Sequence, residues 1–328
     1  MQENTARQSF VMPPPEPAPR HKFVFFPLSW VLAHVGRCVE IGKALREAGH
    51  EVVFAGADKE HPRSKLPLAE RAGFRVVRVL EPEQHMAWDR FQQQGPARAV
   101  WDSFRSQEWA PLDDICEDVL RVIREERPDC VVGDASVATS TAAHIAGIPA
   151  AGVLNAYNAH FVRPYSFYRE LIRVWDFAML RRVRGRVYRR YGVRQVDAVE
   201  LLRDIPLISP DLPEFEEYFD AFPKWRTVGP VVFEPSTELP AWYDELGDGR
   251  PNIYVTMGST GLFETFMHRV YPALGEMPFR FLVTHGGQLS EATIAAAPEN
   301  FRFATYASGS VLLRHCVAQV FHGGNTSL

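Results

Sequence analysis

The same order of elements occurs twice in this chain, and it constrains the fold more than any other feature. An uninterrupted apolar stretch at 23–26 is followed by a loop, a helical stripe of apolar residues and a second strand at 51–55, which is apolar after Glu51. A second such series begins with 252–256 and continues through a glycine-containing loop, a helix over 262–274 and a strand over 279–284. Continuous apolar strands separated by helices are typical of parallel sheets that are buried on both faces. The sequence therefore predicts an α/β protein with two Rossmann-like, doubly wound parallel sheets.

A chain of 328 residues is longer than one ordinary hydrophobic core supports, so we expect two domains. The predicted organisation is a disordered proline-rich tail (1–20), an N-terminal domain (21–230), a linker rich in proline, glycine and charge (231–250) and a C-terminal domain (251–328).

Composition excludes several classes of partner. The formal net charge of −4 gives no overall basic field, which argues against nucleic acid as a partner. The four cysteines are scattered without a C-x-x-C pair, so we expect free thiols in a reducing compartment and no metal site. No apolar run approaches the roughly 18 residues of a membrane-spanning helix, and the N-terminus lacks an apolar signal core. The predicted location is cytoplasmic.

Three familiar site types are absent from the sequence. No G-x-G-x-x-G follows the first strand, and no G-x-x-x-x-G-K-[ST] occurs. No serine has a glycine two positions away on both sides, although His-Gly-Gly occurs at His285 and at His322. These absences argue against a dinucleotide fingerprint, a P-loop and a hydrolase nucleophile elbow.

Two candidate catalytic residues follow strands of the first sheet. His34 comes shortly after strand 23–26, and Asp134 ends a strand that begins at Cys130. Ligands of open α/β sheets bind beyond the carboxyl ends of the strands, so both residues would face one edge. A neutral imidazole can accept a proton near pH 7, and a carboxylate can hold its tautomer. The alternative is that His34 only starts a helix and Asp134 only caps the next one.

Two strand-to-helix turns in the second half are candidate anion sites. Gly258–Gly261 follows one strand and His322–Thr326 follows another, and both turns combine glycine with small polar residues. Free N–H groups at helix N-termini favour phosphate, so two such turns on one edge could hold a diphosphate. The alternative is that each turn requires glycine for its geometry alone.

The chain resembles the GT-B nucleotide-sugar glycosyltransferases of family 1, the UDP-glycosyltransferase-like enzymes, and in particular bacterial enzymes of the natural-product and macrolide type. In the first half, the resemblance rests on 25–27, 33–35 and 44–54, and the last of these is similar to the family's "LA..L..RGHEVTF" run. In the second half it rests on Val255–Ser259, on Tyr306 with Leu312 and Leu313, and on 322–327. These segments are similar to the family's "V.FGS", "W.PQ..LL" and "HGG.NS" signatures.

The resemblance implies a role for each matching residue. His34 would be the general base for the acceptor hydroxyl, Asp134 would orient it, and Tyr306 would stack on the base of the donor. The implied donor-binding residues are Gly258, Ser259, Thr260, Tyr306, His322, Gly323, Gly324, Asn325 and Thr326. The implied reaction is a metal-independent, inverting transfer from a UDP- or dTDP-sugar co-substrate to a hydroxyl of a lipophilic small molecule, with no further cofactor.

The sequence departs from the family pattern at several positions. Ala33 replaces the usual glycine before the histidine, and Arg37 stands near the usual proline, which affects loop geometry and acceptor access. Tyr306 replaces a commoner tryptophan, and Ser308 stands at the expected glutamine. The family pattern also continues beyond His-Gly-Gly with a glutamate, an acidic-Gln pair and a final helix. We therefore expect the second domain to be truncated in this sequence.

Two further segments bear on partners. The aromatic residues between 88 and 109, together with those near 161, suit an apolar acceptor pocket, although they could equally be core. The pocket residues that we predict are Trp88, Phe91, Trp101 and Phe161. The arginine-rich helix over 169–194 suits weak contact with a membrane surface, but we favour an ordinary packed helix with a solvated cationic face.

Two other functions remain open. The chain could be a non-catalytic nucleotide-binding or auxiliary protein, because the sugar-binding part of the family pattern is missing. A sugar-nucleotide epimerase of similar fold is less favoured, since the run over 44–54 and the terminal His-Gly-Gly match transferases more closely.

Overall fold

The computed structural model describes residues 19–61, 64–81, 111–134, 136–155, 181–196, 198–212, 214, 223–234, 238–258 and 263–323. The strands are β1 (Lys22–Phe26), β2 (Glu51–Gly56), β3 (Arg75–Arg78), β4 (Cys130–Asp134), β5 (Ala150–Val153), β6 (Leu207–Ser209), β7 (Trp225–Thr227), β8 (Asn252–Thr256), β9 (Arg280–Thr284), β10 (Phe301–Ala304) and β11 (Cys316–Phe321). The helices are α1 (Leu32–Glu47), α2 (Pro67–Arg71), α3 (Pro111–Glu126), α4 (Val137–Ala146), α5 (Arg181–Arg190), α6 (Ala198–Asp204), α7 (Phe263–Leu274), α8 (Glu291–Ala295) and α9 (Gly309–Leu313), and Tyr243–Gly247 forms a 3₁₀ helix. Most of the predicted tail over 1–20 lies outside these ranges.

Two parallel sheets contain all of these strands. The first has seven strands in the order β3-β2-β1-β4-β5-β6-β7, and the second has four in the order β10-β9-β8-β11. Every pairing within them is parallel. In each sheet the strand order reverses beside the first strand of the series, as in doubly wound folds. The predicted α/β architecture with two parallel sheets is confirmed.

Alternate side chains of β1 explain why helices cover both faces of the first sheet. Val24 and Phe26 pack into a cluster with residues of α3 and α4. Phe25, on the opposite face, packs with residues of α1 and α2, including Val35 and Val39. Successive side chains of a strand point to opposite faces, so the apolar run 23–26 requires cover on both faces of the sheet.

The edges of the first sheet are polar or short. β3 forms one edge, and both of its terminal arginines are exposed. At the other end, the apolar residues of 201–209 predict a short strand, and this prediction is wrong in its first half. Residues 198–204 form α6, and only Leu207–Ser209 joins the sheet. Leu201 lies on the buried face of this helix, and the charged residues around it follow a helical spacing.

Of the arginine-rich helix predicted over 169–194, the structure describes the part that contains α5. Val187 and Tyr188 are buried, and the helix packs on α3. Nε of Arg186 lies 3.2 Å from Oδ2 of Asp113, and Arg190 pairs with Glu117, both on α3. These contacts favour the packed-helix interpretation. No helix in the described ranges is both long enough and apolar enough to span a membrane.

Candidate active site

His34 and Asp134 lie against each other at the carboxyl edge of the seven-stranded sheet. β1 and β4 are neighbours, and their register pairs Phe26 with Gly133, so Asp134 ends β4 beside the loop that leads into α1. His34 is in the first turn of α1, and its Nδ1 atom lies 2.7 Å from Oδ1 of Asp134. The Asp134 side chain is fully buried, whereas that of His34 is 16% exposed. The structure thus brings the two predicted catalytic residues into direct contact.

Asp134 does not cap the helix that follows it. The N-cap of α4 is Ser136, whose hydroxyl oxygen accepts a hydrogen bond from the backbone N–H of Thr139 at 3.2 Å. At the other end, Gly147 adopts φ 67° in the left-handed C′ position. With Ser136 in that role, the Asp134 carboxylate is available to side chains across the sheet edge.

The structure adds Arg37, which the sequence marked only as a departure from the family pattern. Nε of Arg37 donates to Oδ2 of Asp134 at 2.6 Å, and Nη2 donates to Oδ1. The same Nη2 lies 3.0 Å from Nδ1 of His34. Arg37 is three residues after His34 on α1, so the two side chains share one helix face. That spacing was the one sequence signal that could have identified it.

The charges around Asp134 keep it ionised. Burial raises the pKa of Asp134, but the charges of His34 and Arg37 and their hydrogen bonds outweigh burial and lower this pKa to about 2. A carboxylate only accepts hydrogen bonds, so its close approach to Nδ1 of His34 requires a hydrogen on that nitrogen. The remaining nitrogen of a neutral ring, Nε2, is then the basic one.

A chain of buried polar groups continues from Arg37 to the neighbouring strands. Nη1 of Arg37 donates to Oδ1 of Asn155, which follows β5. Nδ2 of Asn155 donates to Oδ1 of Asp211 at 3.1 Å, and the hydroxyl of Ser209 donates to Oδ2 of Asp211 at 2.7 Å. Arg37, Asn155, Asp211 and Ser209 are all buried. No sequence motif indicates this set of hydrogen bonds.

Glu81 is a partly buried carboxylate at the same edge. It accepts hydrogen bonds from the backbone N–H groups of Ser29 at 2.9 Å and Ala57 at 3.3 Å, which joins the loops after β1, β2 and β3. Burial raises the pKa of Glu81, and these hydrogen bonds partly offset that rise. A pocket of about 440 Å³ opens beside Glu81 and contains the Arg121–Asp118 ion pair at 2.6 Å. Its lining combines these charged groups with apolar side chains such as Trp30 and Val79.

The second sheet brings Gly258 and His322 together. β8 and β11 are neighbours with Thr256 paired to Phe321, so the turns that follow them are adjacent. Gly258 has φ 56°, and a Cβ atom there would lie 2.6 Å from Cε1 of His322. The imidazole therefore packs directly on the glycine backbone. Partial loss of water around this ring lowers the pKa of His322, so the ring is neutral at pH 7.

Tyr306 reaches the same edge from β10. It is 39% exposed, and its hydroxyl donates to the carbonyl of Gly286 at 3.5 Å in the turn after β9. From that turn, Nε2 of Gln288 donates to the carbonyls of Gly258 and, at 3.2 Å, His285. Gln288, which the sequence analysis missed, thus ties the turn after β9 to the turn after β8. Gly323, also in the predicted set, has φ 80° just after β11.

Two adjacent residues connect the helix of His34 to the second sheet. The ring of Phe233 packs on α1 so closely that a Cβ atom at Gly36 would lie 2.6 Å from its Cγ. The carboxylate of Glu234 accepts from the hydroxyl of Ser308 at 2.7 Å. Ser308 is the N-cap of α9 and follows Tyr306 by two residues. Both halves of the candidate site are therefore attached to the same short segment.

Several predicted site residues lie outside the described ranges, and their roles stay predictions. They are Ser259, Thr260, Gly324, Asn325 and Thr326 of the donor set, and Trp88, Phe91, Trp101 and Phe161 of the acceptor set.

The known proteins with similar sequences that we describe are all named as glycosyltransferases. No protein-family profile matches the chain. The chain is 26% identical over 337 residues to the PGL/p-HBAD biosynthesis rhamnosyltransferase of Mycobacterium bovis (strain BCG / Pasteur 1173P2), covering 94% of this chain and 69% of the relative. It is 25% identical over 332 residues to the PGL/p-HBAD biosynthesis glycosyltransferase of Mycobacterium tuberculosis (strain ATCC 25177 / H37Ra), covering 95% and 73%. A Mycobacterium bovis relative, 26% identical over 75% of this chain and 69% of its own length, is named an inactive PGL/p-HBAD biosynthesis glycosyltransferase.

Solved structures of glycosyltransferases share the fold. SnogD from Streptomyces nogalater superposes with a TM-score of 0.66 at 20% identity, covering 94% of this chain and 78% of that one. Spinosyn rhamnosyltransferase SpnG with thymidine diphosphate gives 0.65 at 18% identity (93% and 76%), and SpnG with spinosyn aglycone gives 0.61 at 19% (93% and 76%). The GT-B fold and the resemblance to glycosyltransferases are confirmed.

Proposed function

We propose that this chain transfers a sugar from a nucleotide-sugar donor to a hydroxyl of a lipophilic small molecule, with inversion and without a metal ion. The observation that carries the proposal is the buried His34–Asp134 contact at the carboxyl edge of the first sheet. The turns of the second sheet around Gly258 and His322 supply the complementary donor side. The relatives named as glycosyltransferases support the same reaction class.

In this proposal, Nε2 of His34 takes the proton of the acceptor hydroxyl as its oxygen attacks the anomeric carbon. The new bond joins the acceptor oxygen to that carbon, and the bond from the carbon to the diphosphate oxygen breaks on the opposite side, which inverts the configuration. Asp134 accepts the Nδ1–H of His34 and so holds the required tautomer and stabilises the imidazolium. The nucleoside diphosphate leaves with the electron pair of the broken bond.

The donor side would stabilise the departing diphosphate through neutral donors. Gly258 permits close approach of backbone to the phosphates, and the neutral ring of His322 supplies an N–H. Ser259, Asn325 and Thr326 would add further donors, and Tyr306, which is partly exposed at the same edge, would stack on the base. The thymidine diphosphate in the SpnG structure supports a UDP- or dTDP-sugar as co-substrate, and no cofactor beyond it is proposed.

The acceptor side would use the aromatic residues Trp88, Phe91, Trp101 and Phe161 as an apolar pocket. The aglycone in the other SpnG structure supports a small-molecule acceptor.

The direct test uses the protein as its source makes it, incubated with UDP- and dTDP-sugars, including dTDP-rhamnose, and with an acceptor panel of phenols and spinosyn aglycone. Mass spectrometry should detect the acceptor with one added sugar, at the same rate with and without EDTA, and NMR should show an inverted anomeric configuration. Nucleotide binding without product from any donor would favour the non-catalytic alternative. Conversion of the donor to its epimer without acceptor would favour an epimerase.

Gly258→Ala should weaken nucleoside diphosphate binding about tenfold, because a left-handed backbone costs alanine about 1–2 kcal/mol and its Cβ displaces His322. Isothermal titration calorimetry with UDP and dTDP measures the affinity. The matched control is Gly249→Ala, since Gly249 has φ 85° but no atom within 4 Å of the added Cβ. It should lower the melting temperature while leaving the affinity unchanged; equal affinity losses in both variants would contradict the assignment.

A further inference from the structure

Arg37 is a buried cation whose three guanidinium nitrogen atoms all donate to buried polar side chains. Its Nε and Nη2 atoms donate to the two oxygens of Asp134, and its Nη1 donates to Asn155. The residue is 2% exposed. Burying a charge is costly unless it is paired and hydrogen-bonded, and a planar guanidinium is the side chain that can meet several fixed acceptors at once.

The position of Nη2 makes Arg37 more than a support for the fold. This nitrogen lies 3.0 Å from Nδ1 of His34 while it donates to the oxygen that also contacts Nδ1. An imidazolium at His34 would therefore sit between a carboxylate that attracts it and a guanidinium that repels it. The two effects oppose each other at nearly the same distance.

We propose that Arg37 is a positioning residue for His34: it fixes both oxygens of Asp134 for the Nδ1–H of His34, and its positive charge opposes a second proton on the ring. The inference rests on the proposed function, in which His34 is the base. Without the guanidinium, the buried carboxylate would favour the imidazolium unopposed, and that form cannot take the proton of the acceptor hydroxyl.

The other charged groups near His34 are the same in the wild type and in the Arg37 variants. Among the described residues, Asp134 faces it from β4, Arg37 from its own helix, and Glu81 from the loop after β3. Asp211 lies beyond Asn155 in the same polar chain. The Arg37 substitutions leave Glu81 and Asp211 in place, so a change in the titration of His34 would report the loss of the guanidinium.

The experiment compares wild type with Arg37→Met, Arg37→Gln and Arg37→Lys. The ring of His34 is followed through a pH titration by ¹H–¹³C NMR, with its signal identified by its loss in His34→Gln, and kcat/KM is measured against pH. Arg37→Met and Arg37→Gln should raise the titration midpoint of His34 by about one pH unit, with the acid limb of kcat/KM moving equally. Arg37→Lys keeps the charge but not the fork, so its midpoint should stay near that of wild type while kcat falls.

Lys43→Met is the matched control. Lys43 is another cation of α1, exposed and paired with Glu40 at 2.8 Å, so its removal should leave midpoint and kcat unchanged. An unchanged midpoint in a folded Arg37→Met or Arg37→Gln variant would overturn the electrostatic role. If neither folds, wild-type kcat in Arg37→Lys would overturn the positioning role. The NMR titration of His34 requires no turnover. If the wild-type protein forms no product, the proposed function is refuted, but the titration still tests the effect of Arg37 on His34.

Discussion

Replacing His34 with alanine should lower kcat/KM for sugar transfer by about 10²- to 10⁴-fold, the usual contribution of a general base. The acceptor hydroxyl would then have to lose its proton to water during attack, while the diphosphate would leave as before. Because His34 belongs to the first sheet and the predicted phosphate-binding turns belong to the second, the affinity for UDP or dTDP should be unchanged. Steady-state kinetics and calorimetry on the same preparation measure both quantities.

His50→Ala is the matched control for this substitution. His50 precedes β2 and therefore lies at the amino edge of the sheet, opposite His34, where its Nδ1 accepts from the backbone N–H of His21 at 3.2 Å. This variant should retain full activity. A His34→Ala enzyme with wild-type kcat/KM would exclude His34 as the base.

Asp134→Asn should destabilise the protein by about 3–5 kcal/mol at pH 7, because it leaves the buried guanidinium of Arg37 without its carboxylate. Turnover should fall as well, since the amide no longer holds the imidazole in the required tautomer. Urea denaturation gives the free energy of unfolding. The double variant Asp134→Asn with Arg37→Met should cost less stability than the sum of the two single variants, because neither charge is then unpaired.

The ion pair between Asp134 and Arg37 also makes the free energy of unfolding depend on pH in a defined way. The pKa of Asp134 is lowered to about 2 in the folded protein, against about 3.9 for an unfolded aspartate. A lowered pKa contributes stability that is fully present above about pH 4 and is lost as pH falls through about 2. The difference in unfolding free energy between wild type and Asp134→Asn should therefore narrow by on the order of 2 kcal/mol on acidification. A constant difference from pH 6 to pH 2 would contradict the assigned partner charges.

The parts of the fold that could be predicted are those whose pattern is local. The apolar run of β1 and the helical stripe of α1 each identify their element within a few residues, and the position of Asp134 after β4 follows from strand order alone. A short segment such as 201–204 is ambiguous, because two leucines followed by two charged residues suit a strand or a helix turn equally.

The role of Arg37 could not be predicted because its partners are distant in sequence. Asp134 is 97 residues away and Asn155 is 118 residues away, so only the folded sheet edge brings them together. From sequence, an arginine in a helix is expected on the surface. The role of Ser136 had a different obstacle: serine and aspartate are both favoured N-caps, and only the geometry decides which of two nearby residues occupies the position.

The contacts of Phe233 and Glu234 bear on how the two halves of the site can move. Consecutive Cα atoms are about 3.8 Å apart, so the helix that carries His34 and the helix that follows Tyr306 are held at points one peptide unit apart. A rotation that separates the two sheets has to strip Phe233 from Gly36 or detach Glu234 from Ser308. Phe233 and Glu234 therefore act as a hinge point, where the resistance to such a rotation is concentrated in two contacts.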